Sequence, residues 1–148
     1  GHTKLRELLK TPLLQTEMVR GLEPKVDFIV AGGTDFVRAD VRGDGGITGV
    51  MKIAHVAEGF GLDVEFHGGG LPHRHCIAAV RNTNYYELGL LHPKVTSTKP
   101  PIYPPEFTDE LEGIDANGHV AVPDGPGLGV EIDWDYVNAH HVETVTFE

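Results

Sequence analysis

Apolar and polar positions divide the first 90 residues into alternating strands and helices. Helical spacing is clearest for Val50, Ile53 and Ala57, which share one face of a helix. Residues 23–32 also present one apolar helical face, although the run DFIV within them has strand propensity by itself. The predicted strands are residues 12–17, 34–40, 63–67 and 85–90, and the predicted helices are residues 3–10, 23–32, 47–60 and 76–82.

The segments between and after these elements predict less regular structure. Residues 68–75, GGGLPHRH, are typical of a loop. Within residues 91–112, the run KPPIYPPEF excludes a regular helix or a central strand, because proline has no backbone N–H to donate. Residues 119–133 are expected to form a strand, a turn and a second strand, and residues 134–148 to begin with a short helix.

Alternation of strands and helices favours a parallel sheet joined by right-handed crossovers. Such a chain forms either a small open sheet or part of a (β/α)8 barrel. A complete barrel needs about 250 residues, whereas this chain has 148. Four strand–helix units would therefore make half a barrel.

Charge and cysteine content narrow the class of protein. The chain has 12 lysines and arginines against 22 aspartates and glutamates, a net charge of −10 with histidine neutral. This acidity argues against nucleic-acid or anionic-membrane partners, since both bind an excess of basic residues. With no apolar run of 18 residues, we expect neither a spanning helix nor a secretory leader. The single cysteine, Cys76, excludes an internal disulfide and a multi-cysteine metal site, so we expect a soluble cytoplasmic protein.

Four ionisable residues stand at the ends of the four predicted strands. Glu17, Asp40, His67 and Glu87 are separated by 23, 27 and 20 residues, about one strand–helix unit each. The carboxyl ends of parallel strands form one rim, where active sites of such folds lie. A carboxylate bonded to one ring nitrogen of His67 would fix its tautomer and raise its basicity. The sequence therefore predicts an acid–base site on this rim.

Each of these residues also has a purely structural interpretation. Glu17 is a solvated loop acid, Asp40 caps the glycine loop that follows it, and His67 is a satisfied buried histidine. Glu87 pairs with a nearby arginine such as Arg81. The interpretations differ in geometry: in an enzyme the four side chains converge, and in a small non-enzymatic α/β binding domain they scatter.

Three segments resemble the enolase superfamily, and within it the mandelate racemase/muconate lactonizing enzyme family. They are DVRGDGGITG (40–49), the following helix MKIAHVAEGFGL (51–62) and the strand ending EFH (65–67). The tail GHVAVPDGPGLGVEID (118–133) is similar to the closing segment of those enzymes. The resemblance covers essentially the whole chain and implies an α/β fold, the second half (strands 5–8) of a (β/α)8 TIM-type barrel.

The resemblance also implies a domain division and partners. Residues 1–117 would be the second barrel half, and residues 118–148 a tail packing on an N-terminal capping domain that has no counterpart here. The first four barrel strands, which supply the other two metal carboxylates and a second base, also have no counterpart. We therefore expect this chain to be part of a longer polypeptide, and the assembled enzyme to be a homo-oligomer.

Four positions match the site of that family. The resemblance assigns Glu17 as a ligand of Mg²⁺, a cation that prefers oxygen donors. It assigns Asp40 and His67 as an acid–base dyad. Glu87 would hydrogen-bond the substrate carboxylate as it becomes an enediolate, which requires a protonated acid and hence a raised pKa.

The shared reaction of that family is removal of the proton α to a carboxylate. Loss of a β-hydroxyl would then dehydrate an acid sugar, an aldonate or aldarate, to a 2-keto-3-deoxy acid. Reprotonation from the opposite face would instead give a racemase or epimerase. We prefer the dehydratase, because the polar segment 68–75 beside His67 suits a hydroxyl-rich substrate, in which His73, Arg74 and His75 either touch the hydroxyls or are solvated.

Overall fold

A three-stranded parallel sheet organises the first part of the chain. A computed structural model describes residues 1–88, 94 and 102–146. The chain divides into two compact units, Gly1–Gly89 and Leu90–Glu148. The strands are β1 (Leu14–Gln15), β2 (Phe36–Ala39) and β3 (Asp63–Phe66), in the sheet order β1-β2-β3. Both pairings are parallel, so the expectation of parallel strands is confirmed.

Four helices accompany these strands in the first unit. They are α1 (His2–Leu8), α2 (Leu22–Val30), α3 (Gly46–Gly59) and α4 (Leu71–Ala79). The core is formed mainly by apolar residues of β2, β3 and α3, because the apolar face predicted for α3 packs on the inner residues of the two strands. Its members with at most 2% exposure are Val37, Ala39, Val50, Ile53, Ala54, Ala57, Val64, Phe66 and Cys76.

The helix α4 begins earlier than the sequence pattern indicates. Residues 71–75 were expected in a loop, but they form the first turns of α4, so that part of the loop prediction is wrong. Pro72 stands in the first turn, where its fixed φ favours a helix and its missing N–H is not needed. Gly70, the residue directly before α4, has a φ of 123°, a conformation available mainly to glycine.

The predicted fourth strand is absent where the structure describes it. Residues 85–88 have no strand pairing, and the rest of that prediction, 89–90, lies outside the described residues. The backbone N–H groups of Asn84 and Tyr85 donate to the Glu65 side chain, at 3.2 and 3.3 Å. A side chain of β3 thus takes the donors that a sheet ladder would use.

The second unit contains little regular structure. Its described elements include the 3-10 turns Pro105–Phe107 and Leu111–Gly113 and the helix α5 (Trp134–Ala139). Asp133 caps α5 by accepting a hydrogen bond of 2.8 Å from Tyr136 N, which confirms the predicted helical start.

The strand–turn–strand predicted over 119–133 is wrong. The structure describes this whole range, and only Val120 pairs, in an isolated bridge with Ile114. Pro123 and Pro126 remove backbone donors, which disfavours a ladder here. The division expected at 117/118 stays a prediction. Across 1–88, 94 and 102–146, no helix combines the length and apolar character needed to cross a bilayer.

Candidate active site

Three of the four predicted site residues follow three adjacent strands. Asp40 comes directly after β2 and His67 directly after β3, whereas Glu17 lies two residues beyond β1. The sheet register pairs Ala39 with Phe66, and His67 N donates to Ala39 O at 2.7 Å. Because the strands are parallel, all three residues lie at the same edge of the sheet.

A strand-end cluster of four side chains forms at this edge: Glu17, Arg38, His67 and Glu87. His67 is its centre, with Nε2 lying 3.6 Å from Glu17 Oε1 and Nδ1 lying 3.4 Å from Glu87 Oε2. Glu87 is held from two sides, by an ion pair with Arg38 and by the backbone N–H of Gly68 at 3.1 Å. Three of the four predicted residues therefore converge, whereas the enzyme interpretation expects all four.

Arg38 is the member of this cluster that sequence reasoning missed. Its Nη2 lies 2.9 Å from His67 Nδ1 and donates to Glu87 Oε2, and its Nε lies 4.0 Å from Glu17 Oε2. The side chain is only 14% exposed. A charged residue inside a strand, two positions before the strand-end Asp40, was the available signal, because strand interiors otherwise favour apolar side chains.

The dyad interpretation expects Asp40 to pair with His67, but in the structure it does not. Its Oδ1 accepts hydrogen bonds from Arg42 N at 2.9 Å and Arg42 Nε at 3.2 Å, and it lies 3.2 Å from His73 Nε2. Within the described part of the chain, no hydrogen bond or ion pair joins Asp40 to His67. Asp40 also begins the tight turn after β2, in which Gly43 N and Asp44 N both donate to Asp40 O.

The acidity of Asp40 follows from these partners. Burial by itself would raise the pKa of Asp40, but the two N–H groups of Arg42, its charge and the contact with His73 outweigh burial and lower it. Arg20 adds an ion pair of 3.6 Å. Asp40 is therefore an ionised acceptor that holds the turn between β2 and α3.

Glu87 also differs from the expectation. Burial would raise its pKa, but the Gly68 N–H, the Arg38 guanidinium and His67 together lower the pKa below the usual range. The predicted raised pKa is wrong, because a fixed positive charge pairs with this carboxylate. Glu87 acts in this arrangement as an acceptor rather than as a hydrogen-bond donor.

Within residues 68–75, where a substrate-contacting loop was expected, two of the three candidate contact residues are buried. His73 and Arg74 are 3% and 1% exposed. Arg74 Nε donates to the Tyr86 hydroxyl at 3.2 Å, and Gly70 N donates to the same oxygen at 2.7 Å. His73 therefore supports the turn at Asp40, and Arg74 supports the segment that carries Glu87. Neither is solvated.

Glu17 is the described carboxylate best placed to bind a cation. Its side chain is 47% exposed and accepts no hydrogen bond from any described residue, so its oxygens are available. Oxygen donors suit Mg²⁺. Within residues 1–88, 94 and 102–146, no three carboxylate, imidazole or thiol side chains are arranged to hold a metal ion. Glu17 thus has the exposure and the donor chemistry of a single metal ligand.

Comparison with known proteins places this chain in a family. A family model described as "Enolase C-terminal domain-like" matches residues 1–136. The chain belongs to this family. The resemblance seen in the sequence is thereby confirmed, and so is the expected fold class, at the level of a partial α/β barrel domain with parallel strands.

Individual members of the enolase family show how much of a complete protein the chain represents. It is 30% identical over 102 residues, 69% of its length, to an L-rhamnonate dehydratase of Saccharopolyspora erythraea, and spans 25% of that protein. It is 27% identical to a D-gluconate dehydratase of Thermoproteus tenax, with 97% of the chain covering 28% of the relative.

A solved structure of the enolase family shows the same fold. A D-glucarate dehydratase from Agrobacterium tumefaciens, complexed with magnesium, is 32% identical and superposes with a TM-score of 0.76, over 96% of this chain and 36% of that one. The chain therefore corresponds to about a quarter to a third of these relatives.

Proposed function

We propose that this chain forms the His67 side of the active site of a Mg²⁺-dependent enzyme that removes the proton α to a carboxylate. The reaction that we favour is dehydration of an acid sugar, an aldonate or aldarate, to a 2-keto-3-deoxy acid. The observation that supports it is the convergence of Glu17, His67 and Glu87 at the strand ends. The dehydratases among its relatives support the choice of substrate class.

The proposal includes partners outside the chain. Since the chain spans 25% to 36% of these relatives, we propose that it acts with a capping domain and a first barrel half in one polypeptide. These parts would supply the remaining metal ligands and a second base. The cytoplasmic location and the homo-oligomer stay predictions, which cell fractionation and light scattering of the complete protein would test.

Within this enzyme, Glu17 would be one oxygen ligand of Mg²⁺. When bound, the cation would polarise the substrate carboxylate and stabilise negative charge that develops on it. The available oxygens and the 47% exposure of the Glu17 side chain support this role.

His67 is the proton-transferring residue of the proposal. Its ring is 28% exposed, so a substrate can reach it, and its contacts with Glu17, Arg38 and Glu87 fix its orientation. Asp40 lies next to it in the β2–β3 register and, in our proposal, acts by holding the turn after β2. Glu87 acts by holding Arg38 and His67 in place.

The proposed dehydration balances in atoms and electrons. A base removes the α proton, and the electron pair of the C–H bond moves into an enediolate of the carboxylate. Return of that pair forms the Cα–Cβ double bond and expels the β-hydroxyl, which takes a proton from an acid to leave as water. The enol then tautomerises to the 2-keto-3-deoxy acid. His67 can serve as either the base or the acid.

The test is a substrate panel on the complete protein with Mg²⁺. L-rhamnonate, D-gluconate and D-glucarate are incubated separately, and 2-keto acid formation is followed with solvent deuterium incorporation. Keto acid from at least one substrate is the expected result. Deuterium exchange at the α carbon without keto acid would favour the racemase or epimerase. Absence of both products would support a binding domain and would overturn the proposal.

Two variants connect the activity with this chain. Replacing His67 by Asn should lower kcat by about 10²- to 10⁴-fold, the typical contribution of a general acid or base. His55→Asn is the matched control, because His55 is exposed on α3 and should not change kcat. A His67→Asn enzyme with wild-type kcat would exclude His67 from the chemistry.

A further inference from the structure

Arg38 has hydrogen-bonding capacity that the protein does not use. A guanidinium carries five N–H donors. Among the described residues, Arg38 directs Nη2 at Glu87 and His67, its Nε is buried without a hydrogen-bond partner, and Nη1 makes no hydrogen bond. A buried donor without a partner is unfavourable by the full cost of its lost hydration. Nη1 is therefore left to donate to an acceptor that the described chain does not contain.

The charges around Arg38 indicate what that acceptor is. Arg38 is fixed by Glu87, which is itself anchored by Gly68 N. Among the described residues, the acidic partners of the guanidinium are Glu17, which lies 4.0 Å from Nε, and Glu87, which pairs with Nη2, so Nη1 has no acidic partner. A planar carboxylate is the group whose two oxygens match guanidinium donors.

The proposed reaction also needs a donor at this position. Glu87 was expected to donate a hydrogen bond to the substrate carboxylate, but it is already the acceptor of two donors, Arg38 and Gly68. The guanidinium of Arg38 has N–H donors and no acceptor. Arg38 is therefore the residue beside Glu87 that can take over the donor role.

We propose that Arg38 binds the carboxylate of the substrate and stabilises the negative charge that forms on it. This inference rests on the proposed function, since it assigns a contact within the same site. Arg38 is then the substrate-binding cation of the strand-end cluster, with Glu87 and His67 fixing its Nη2 and with Nη1 directed to the ligand.

The first test is arginine-specific labelling of the complete wild-type protein with Mg²⁺. Phenylglyoxal modification of Arg38 is followed by peptide mass spectrometry in the presence of L-rhamnonate, D-gluconate or D-glucarate. At least one acid should slow labelling of Arg38 by about 10-fold, as expected for charge-assisted hydrogen bonds. D-glucitol, which has the hydroxyls of gluconate but no carboxylate, should not. If none of the three acids slowed the labelling of Arg38 relative to the protein without acid, the proposal would be overturned.

The second test separates binding from catalysis by substitution. Arg38→Gln should raise KM by about 10- to 100-fold because a charged hydrogen-bond donor is lost, and Arg38→Lys should restore part of the affinity because it keeps the charge. Arg81→Gln is the control, because Arg81 is 85% exposed and pairs with Glu58. Circular dichroism verifies that each variant is folded, and the labelling of wild-type protein does not depend on the variants.

The outcomes distinguish this inference from the proposed function. If the wild type forms keto acid and Arg38→Gln keeps the wild-type KM, the role of Arg38 is wrong while the dehydratase stands. If the wild type forms no product but an acid still protects Arg38, the carboxylate site stands without the dehydratase.

Discussion

Lys25 and Asp44 form a buried ion pair at the ends of the first two strands. Lys25 Nζ lies 3.3 Å from Asp44 Oδ2, and the two side chains are 1% and 0% exposed. Lys25 also donates to the backbone oxygens of Thr16 and Arg38, both at 2.7 Å. The pair thus fixes the backbone beside Glu17 and within the strand that ends at Asp40.

Thr16, whose backbone oxygen accepts from Lys25, has a strained backbone conformation. Thr16 has a φ of 82°, which is unfavourable for a β-branched residue and costs about 1–3 kcal/mol. Its hydroxyl donates to Arg38 O at 3.0 Å and accepts from Arg38 N at 3.1 Å. These contacts, together with Lys25, hold the conformation from which Glu17 projects.

Replacing Lys25 by Met should destabilise the protein by about 3–5 kcal/mol, because Asp44 would be left as an unpaired buried charge. Burial lowers the pKa of Lys25, and the attraction of Asp44 only partly offsets this effect. The charge of the lysine therefore depends on its partner. Urea unfolding measures the change. The double variant Lys25→Met/Asp44→Asn should lose less than the sum of the single variants.

The matched control is Lys52→Met, on the exposed face of α3. It should change the free energy of unfolding by no more than about 0.5 kcal/mol. Equal effects of Lys25→Met and Lys52→Met would show that the buried pair does not stabilise the strand ends.

The sequence pattern located most of the fold because local signals and packing agree there. The apolar positions of α3, and the acids and histidine that follow the strands, were visible in order along the chain. The absence of the predicted fourth strand was not visible in the sequence. The Glu65 side chain binds the backbone of Asn84 and Tyr85, and no local pattern reveals such a contact.

The site was predictable in position but not in partners. Glu17, His67 and Glu87 converge as expected from their strand-end spacing. The pairing of Asp40 with Arg42 and His73 depends on the turn geometry and on the early start of α4. Side-chain partners across elements follow from tertiary packing, which periodicity does not encode.

Cys76 should be unreactive in the native protein. It is 2% exposed, and burial raises the pKa of its thiol, so little of the reactive thiolate is present near neutral pH. Iodoacetamide labelling of the Cys76 peptide at pH 8, followed by mass spectrometry, should be slow in buffer and fast in urea. Rapid labelling of the folded protein would contradict the burial of this side chain.

Replacing Gly49, near the start of α3, should lower the free energy of unfolding. A Cβ at this position would lie 1.7 Å from Asp44 O, within the turn that carries Asp44. Gly49→Ala should therefore cost about 1–3 kcal/mol by overpacking, measured by urea unfolding. It should also weaken the Lys25–Asp44 pair.

Gly59→Ala is the control for Gly49→Ala. It ends the same helix, and a Cβ there would meet no atom within 4 Å. It should be neutral or stabilising by up to about 1 kcal/mol, since alanine favours a helix over glycine. Similar losses from both substitutions would indicate a general intolerance of α3 rather than the predicted contact with Asp44.

Asp40 should make stability depend on pH in the acidic range. Arg42 and His73 hold its pKa below that of an unfolded aspartate, despite the opposing effect of burial, so the unfolded state binds a proton at higher pH than the native state. Its contribution is therefore complete above the unfolded pKa of about 3.9. It is lost as the pH falls through the lower native pKa.

Asp40→Asn tests this dependence. The difference in free energy of unfolding between wild type and Asp40→Asn should be largest near pH 7 and should shrink steadily below about pH 4, because protonated Asp40 no longer attracts Arg42. Asp27→Asn, on the exposed side of α2, is the control and should not change the slope. If the difference stayed constant from pH 7 to pH 3, the ionised Asp40 carboxylate would not be what holds the turn between β2 and α3.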